Sequence, residues 1–317
     1  MKRSINKLFI SVILLFSCTD KVVEKLPITT SSEKARKHYQ KAREYYLTTD
    51  FPEGWSSLDS ALAIDPNFAM ASLIRWHPDP SIRTKNRKRA YSLINTVSDA
   101  EQYILNANRC EDEGNLDSAL FYIKKLVERY PNSYESYNEL GVIYGSRNEL
   151  KLAEKAFKES IEIYPDNYMA YTYLFGQHVM YGFYDLLPTE ERDVNIGLKY
   201  AEKLIDLKPN SAHGFHAKAN CYRQLGEFEK AIPLYDKSVE LSKGTTAEAS
   251  ENYVSAHNIM FAGDFEKARE RYKQALKVVK DAQTETSIKT FITISYLFQR
   301  NFEGALDNLY SMEESFK

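Results

Sequence analysis

Residues 134–167, YESYNELGVIYGSRNELKLAEKAFKESIEIYPDN, contain the unit from which the chain is built. At helical spacing Tyr137, Leu140, Gly141 and Tyr144 share one face of a first helix. Ala153, Phe157 and Ser160 share one face of a second helix, after a polar turn around Arg147 and Asn148. The small residues Gly141, Ala153 and Ser160 let two antiparallel helices approach closely, while the large ones fill the space toward a neighbouring hairpin. Pro165 cannot continue the second helix and so ends it. The segment predicts a helical hairpin that needs neighbours to bury its apolar face.

The chain supplies those neighbours. Laid on itself in the same frame, it places Ala219, Tyr222, Ala231, Tyr235 and Ser238 in the matching slots of 212–245. In 249–282 the same slots hold Ala256, Ile259, Ala268, Tyr272 and Ala275. In 35–68 they hold Ala42, Tyr45, Gly54, Leu58, Ala61 and Pro66, and in 100–133 Ala107, Cys110, Ala119, Ile123, Val127 and Pro131. A weaker copy over 286–317 keeps Thr293, Ala305 and Leu309. This pattern resembles the tetratricopeptide repeat, and the resemblance covers most of 32–317. It implies an all-α fold, a right-handed superhelix that is a solenoid of antiparallel helical hairpins.

Two places depart from the pattern. Residues 69–99 form an irregular, shortened hairpin: a helix around Met70–Trp76, a break at His77-Pro78-Asp79-Pro80, and a basic helix from Thr84, with a basic run of Arg83, Lys85, Arg87, Lys88 and Arg89. That run reads as a solvated face. The copy at 168–211 carries an acidic insertion, Gly182–Asn195, read as a surface loop that either contacts partners or is simply tolerated.

The first residues have another character. Lys2, Arg3 and Lys7 precede an apolar run, LFISVILLF at 8–16, too short to span a bilayer but of the length of a secretory signal core. Leu15-Phe16-Ser17-Cys18 resembles the lipobox of bacterial lipoproteins. The resemblance implies a signal peptide at 1–17 and a diacylglycerol-bearing Cys18. It also implies residence in the bacterial cell envelope, on an outer-membrane or periplasmic face. Residues 18–31, polar with one proline and no helical pattern, read as a tether. Cys110 and Cys221, in distant repeats, read as small buried apolar residues.

Composition fits a folded body. A formal net charge of -2 gives no global attraction to nucleic acid, and 12 Gly and 10 Pro suit long helices with short loops. No phosphate-cradling loop, nucleophile elbow, HExxH or CxxC is present, so the sequence offers no catalytic motif and calls for no cofactor.

In the family resembled, positions 2, 5, 9 and 12 of each first helix commonly face the concave groove. Here these include Glu135, Asn138, Thr172, His213, His216, Asn220, Arg223, Tyr253 and His257. Tyr39 and Arg43 stand where a carboxylate clamp would place Lys and Asn, so the resemblance does not extend to that clamp. The groove is expected to hold another envelope protein or a peptide, with membrane attachment through the lipid and no nucleic-acid partner. Two alternatives stand beside it. The first is glycan or small-ligand binding by the Tyr-rich groove. The second is a metal-dependent enzyme on His213, His216 and His257, although groove histidines more often make partner contacts and no metal is assigned.

Overall fold

The computed structural model describes residues 23–48, 51–74, 79–179 and 187–314. Among them there are sixteen α-helices and no strand. The first four are α1 (Glu33–Leu47), α2 (Phe51–Ile64), α3 (Ala69–Ile74) and α4 (Pro80–Ser92). Next come α5 (Asp99–Asp112), α6 (Leu116–Arg129), α7 (Tyr134–Ser146) and α8 (Leu150–Ile163). They are followed by α9 (Tyr168–His178), α10 (Val194–Leu207), α11 (Ala212–Gln224) and α12 (Phe228–Ser242). The last are α13 (Glu248–Phe261), α14 (Phe265–Val278), α15 (Ala282–Phe298) and α16 (Phe302–Glu314). Each odd-numbered helix packs against the even-numbered helix that follows, and successive hairpins stack, which makes the chain an all-helical solenoid.

The slots behave as their sizes require. Ala42, Ala61, Ala119, Ala219, Ala231, Ala256, Ala268 and Ala275 are fully buried where paired helices meet. A Cβ on Gly141 would lie 2.6 Å from the Phe157 ring, so only glycine fits there. In the third hairpin the buried residue is Leu126, and Val127 is only half-buried, one step off the expected slot. Capping sets the helix starts. Ser98 and Glu101 form a reciprocal capping box on α5, and Asn115, Asn167, Asp264 and Asp281 each accept a backbone amide in the first turn of the helix they precede.

The irregular hairpin α3–α4 is short, as its sequence predicts, and its joints to α2 and α5 are the thinnest in the array. Arg87 is drawn to Asp112 at 2.6 Å, while Lys85, Lys88 and Arg89 remain exposed on α4. The described part of the insertion is not all loop. Leu187 is buried and its amide bonds the carbonyl of Gln177 at 3.0 Å, and Val194 and Asn195 already belong to α10. Residues 182–186 and His77-Pro78 lie outside the described residues, as do the signal segment and Cys18. Among the described residues no helix is long and apolar enough to cross a membrane. Cys110 and Cys221 are buried and not joined to each other.

Candidate peptide-binding groove

The stretch expected as a tether is, from Val23 onward, extended chain laid against the first four hairpins. The Glu24 amide donates to the carbonyl of Asn132 at 3.1 Å, just before α7. Leu26 donates its amide to Glu135 Oε2 on α7 at 3.1 Å, and Thr29 donates its amide to Glu101 Oε2 on α5 at 2.9 Å. Ser98 donates both its amide and its hydroxyl to this chain, to Thr29 Oγ1 and to the carbonyl of Pro27 (each 3.0 Å). At the far end Thr30 and Ser31 both donate to Asp65 Oδ2, at 2.6 and 2.8 Å, before Ser32 caps α1. Leu26 is buried and Ile28 partly so, both in the core cluster shared by the first hairpins.

This strap, residues 24–31, crosses the helix starts of α7 and α5 and the end of α2. Three of its backbone amides meet carboxylates, and Arg36 Nη1 donates to its Ile28 carbonyl at 2.9 Å. Glu101 is only 1% exposed, and both Ser98 and Thr29 donate to its Oε2. Burial opposes ionisation of Asp65, but the Thr30 hydroxyl and the Ser31 and Asn67 amides outweigh it and hold the carboxyl below the usual range.

Helix α1 closes the groove from above. Arg43 Nη1 meets Glu135 Oε1 at 2.8 Å, joining the first hairpin to the fourth. Burial disfavours the Arg43 charge, yet Tyr39 and Glu135 more than compensate and raise its pKa further. Beneath lies Glu139. Burial pushes its carboxyl up to about 7, against the pull of Arg43 and with Glu135 and Glu111 adding to the rise. Farther along α1, Glu44 pairs with Lys208, and Leu47 packs on the cluster of Tyr168, Phe175, Leu204 and Ala217. The first hairpin thus reaches α7 through Arg43 and the cluster of α9, α10 and α11 through Leu47.

The predicted groove residues sit otherwise than expected. Asn138 is buried and accepts from Ser160 Oγ at 2.7 Å and Asn167 Nδ2 at 2.9 Å. Thr172 bonds the Tyr168 carbonyl within its own helix, and Asn220 accepts from Tyr235 Oη at 2.7 Å. His213 Nδ1 meets Tyr168 Oη at 2.7 Å, and His216 Nδ1 meets Glu251 Oε2 at 2.7 Å. All five are buried: Ser160 and Tyr235 reach Asn138 and Asn220 from the second helix of their own hairpins, while Asn167, Tyr168 and Glu251 reach Asn138, His213 and His216 from the adjacent ones. Arg223, beside the Tyr235 ring, is half-buried. So are Tyr253 and His257, which both pack edge-on with Phe291 and against Tyr272, so the Tyr253 ring is engaged in packing.

Nor do the three histidines meet. Each is committed to a different neighbour, and among the described residues no three His, Cys, Asp or Glu side chains converge on a point that could hold a metal ion. The residues that do gather around a ligand-like segment are Asp65, Ser98, Glu101 and Glu135. Only Glu135 stood among the groove positions. The Ser98-x-x-Glu101 spacing was legible as a capping box, but nothing local to Glu101 shows that it also receives Thr29.

The tetratricopeptide repeat family matches the chain twice, over residues 134–167 and 210–281. No curated protein matches the sequence. Among solved structures the chain is similar to the APC/C hetero-tetramer Cut9–Hcn1, with 14% identity and a TM-score of 0.55, covering 85% of this chain and 51% of that one. It is similar to PilF of Pseudomonas aeruginosa, with 14% identity and a TM-score of 0.50 over 69% of this chain and 92% of that one. A segment of MamA from Desulfovibrio magneticus RS-1 matches at 18% identity and a TM-score of 0.47, over 57% of this chain and 95% of that one. At these identities the first two likenesses are of fold. With the two matched segments and the stacked hairpins that continue them, this chain carries tetratricopeptide repeats within an all-helical solenoid.

Proposed function

We propose that the protein is a membrane-tethered interaction scaffold of the bacterial cell envelope, whose groove over α5 and α7 receives an extended segment of another envelope protein. One observation carries this reading. The groove already holds extended chain by its backbone, with the Leu26 and Thr29 amides on Glu135 and Glu101. Main-chain hydrogen bonds of this kind give affinity for a strand-like peptide, and side-chain pockets such as that of Leu26 give selectivity. No reaction is assigned to the site.

The tether reading rests on the Leu15–Cys18 lipobox. Acyl chains on Cys18 would anchor the protein stably, since each buried methylene contributes about 0.8 kcal/mol. Cys18 to Glu24 spans at most about 20 Å of fully extended chain. An anchored array with its strap in place is therefore held close to the bilayer, where a membrane-bound partner is locally concentrated.

Photocrosslinking in the native host from Val142, half-buried on α7 about two helical turns beyond Glu135, tests the scaffold role. A single crosslinked protein, lost in Glu135→Ala, supports it; crosslinks that are absent or indifferent to Glu135 contradict it. Metabolic labelling with a fatty-acid analogue, wild type against Cys18→Ala, tests the anchor separately.

A further inference from the structure

We infer that residues 24–31 are an exchangeable ligand held in cis, and that the partner segment takes their place. That segment is an extended peptide with an apolar residue, a proline, a second apolar residue and then hydroxyl residues, as in Leu26-Pro27-Ile28-Thr29-Thr30. The inference rests on the reading of this groove as the partner site.

Three features support it. First, the strap's hold comes largely from groups that any extended chain supplies: the Leu26, Thr29 and Ser31 amides and the Pro27 carbonyl. Its own contribution is one buried side chain, Leu26, and two threonine hydroxyls. A second chain of the same pattern can therefore reproduce every contact. Second, the groove cannot stay empty at low cost. Withdrawal of the strap removes donors from Glu101 and Asp65, both buried carboxylates, so departure and replacement are coupled. Third, the strap is joined to α1 directly through Ser32, which gives it an effective concentration in the millimolar range. A partner must overcome that local excess, so apparent affinity is reduced by the fraction of grooves already filled.

Full-length protein purified in detergent is titrated with a fluorescein-labelled synthetic peptide of residues 21–32, KVVEKLPITTSS. The wild type is compared with Thr29→Pro, which deletes the amide that meets Glu101, and with Thr29→Pro combined with Glu135→Ala. The strap-weakened variant is expected to bind at least ten-fold more tightly than wild type, and the double variant to lose that gain. Equal binding by all three would overturn the proposal, as would a shift of Thr29→Pro to dimers, which would make a second copy the occupant. A measurement on wild type alone covers the case in which Thr29→Pro does not fold. Saturating peptide should speed amide exchange at Leu26 and Thr29 at least ten-fold, and unchanged exchange would overturn the proposal. If the exchange tests fail while the Val142 crosslink persists, the scaffold reading stands and only the cis-ligand idea falls.

Discussion

Thr29 donates its backbone amide to Glu101 at 2.9 Å across 72 residues of sequence. Glu101 at the same time completes the capping box of α5 with Ser98. One carboxylate thus starts a helix and fastens the segment that lies across it. Around that bond the strap, the first hairpin and the helix starts of α5 and α7 form a single polar assembly with Glu135 and Arg43.

Glu135 is the residue in that assembly with the most to lose. It binds Arg43 and the Leu26 amide at once, and its side chain is 12% exposed. Glu135→Ala should destabilise the first four hairpins by about 1–3 kcal/mol, because Arg43 and the Leu26 amide both lose their acceptor. Glu135→Gln, which keeps an acceptor for Leu26, should cost about half as much. Urea unfolding followed by circular dichroism ranks the two, and equal losses would contradict the double role.

Two glycines separate packing from backbone strain. In Gly141→Ala the new methyl meets the buried Phe157 ring, and a loss of about 1–3 kcal/mol is expected. At Gly114 nothing stands within 4 Å, but φ is +76°, so Gly114→Ala should cost only about 1 kcal/mol, through the left-handed backbone. The same unfolding curves measure both.

The repeat frame was legible because its code is steric and local. Gly141 faces Phe157, and the matching slots of other hairpins hold fully buried alanines such as Ala42, Ala219 and Ala256. The strap was not legible because its partners, Asp65, Glu101 and Glu135, lie far along the chain and read its backbone, which leaves no pattern in its side chains. The groove residues misled for a related reason. Asn138, His213 and His216 occupy groove-numbered positions, yet Ser160, Asn167, Tyr168 and Glu251 reach them first. Composition alone cannot reveal which polar residue a neighbouring hairpin will satisfy.

Acid should act oppositely on the fourth hairpin and on the sixth and seventh. Burial, with the charge of His216 adding to it and Glu251 opposing, pushes His213 down to about 4. The unfolded chain then binds the proton first, so stability around α11 and α13 falls as pH drops from about 6.5 toward 4, by up to ~3 kcal/mol. Glu139 has the reverse sign: with its carboxyl raised to about 7, its contribution is greatest below the unfolded value and is lost as pH rises through 7. Between pH 7 and 5, amide protection corrected for intrinsic rate should fall in α11 and α13 and rise in α7. A uniform change along the chain would contradict this.

His213→Gln should flatten the acid response of α11, since a neutral amide accepts from Tyr168 Oη without titrating. At pH 7 it should cost about 1 kcal/mol or less. Thermal melts at pH 7 and pH 5 decide it: a pH difference as large as that of wild type would place the titration elsewhere.

Residue-resolved hydrogen exchange of the unliganded full-length protein tests most directly that residues 24–31 belong to the folded array. The Leu26 and Thr29 amides should exchange orders of magnitude more slowly than unstructured chain, and Glu135→Ala should speed Leu26 most. Exchange of both amides at the unstructured rate in wild type would contradict the account.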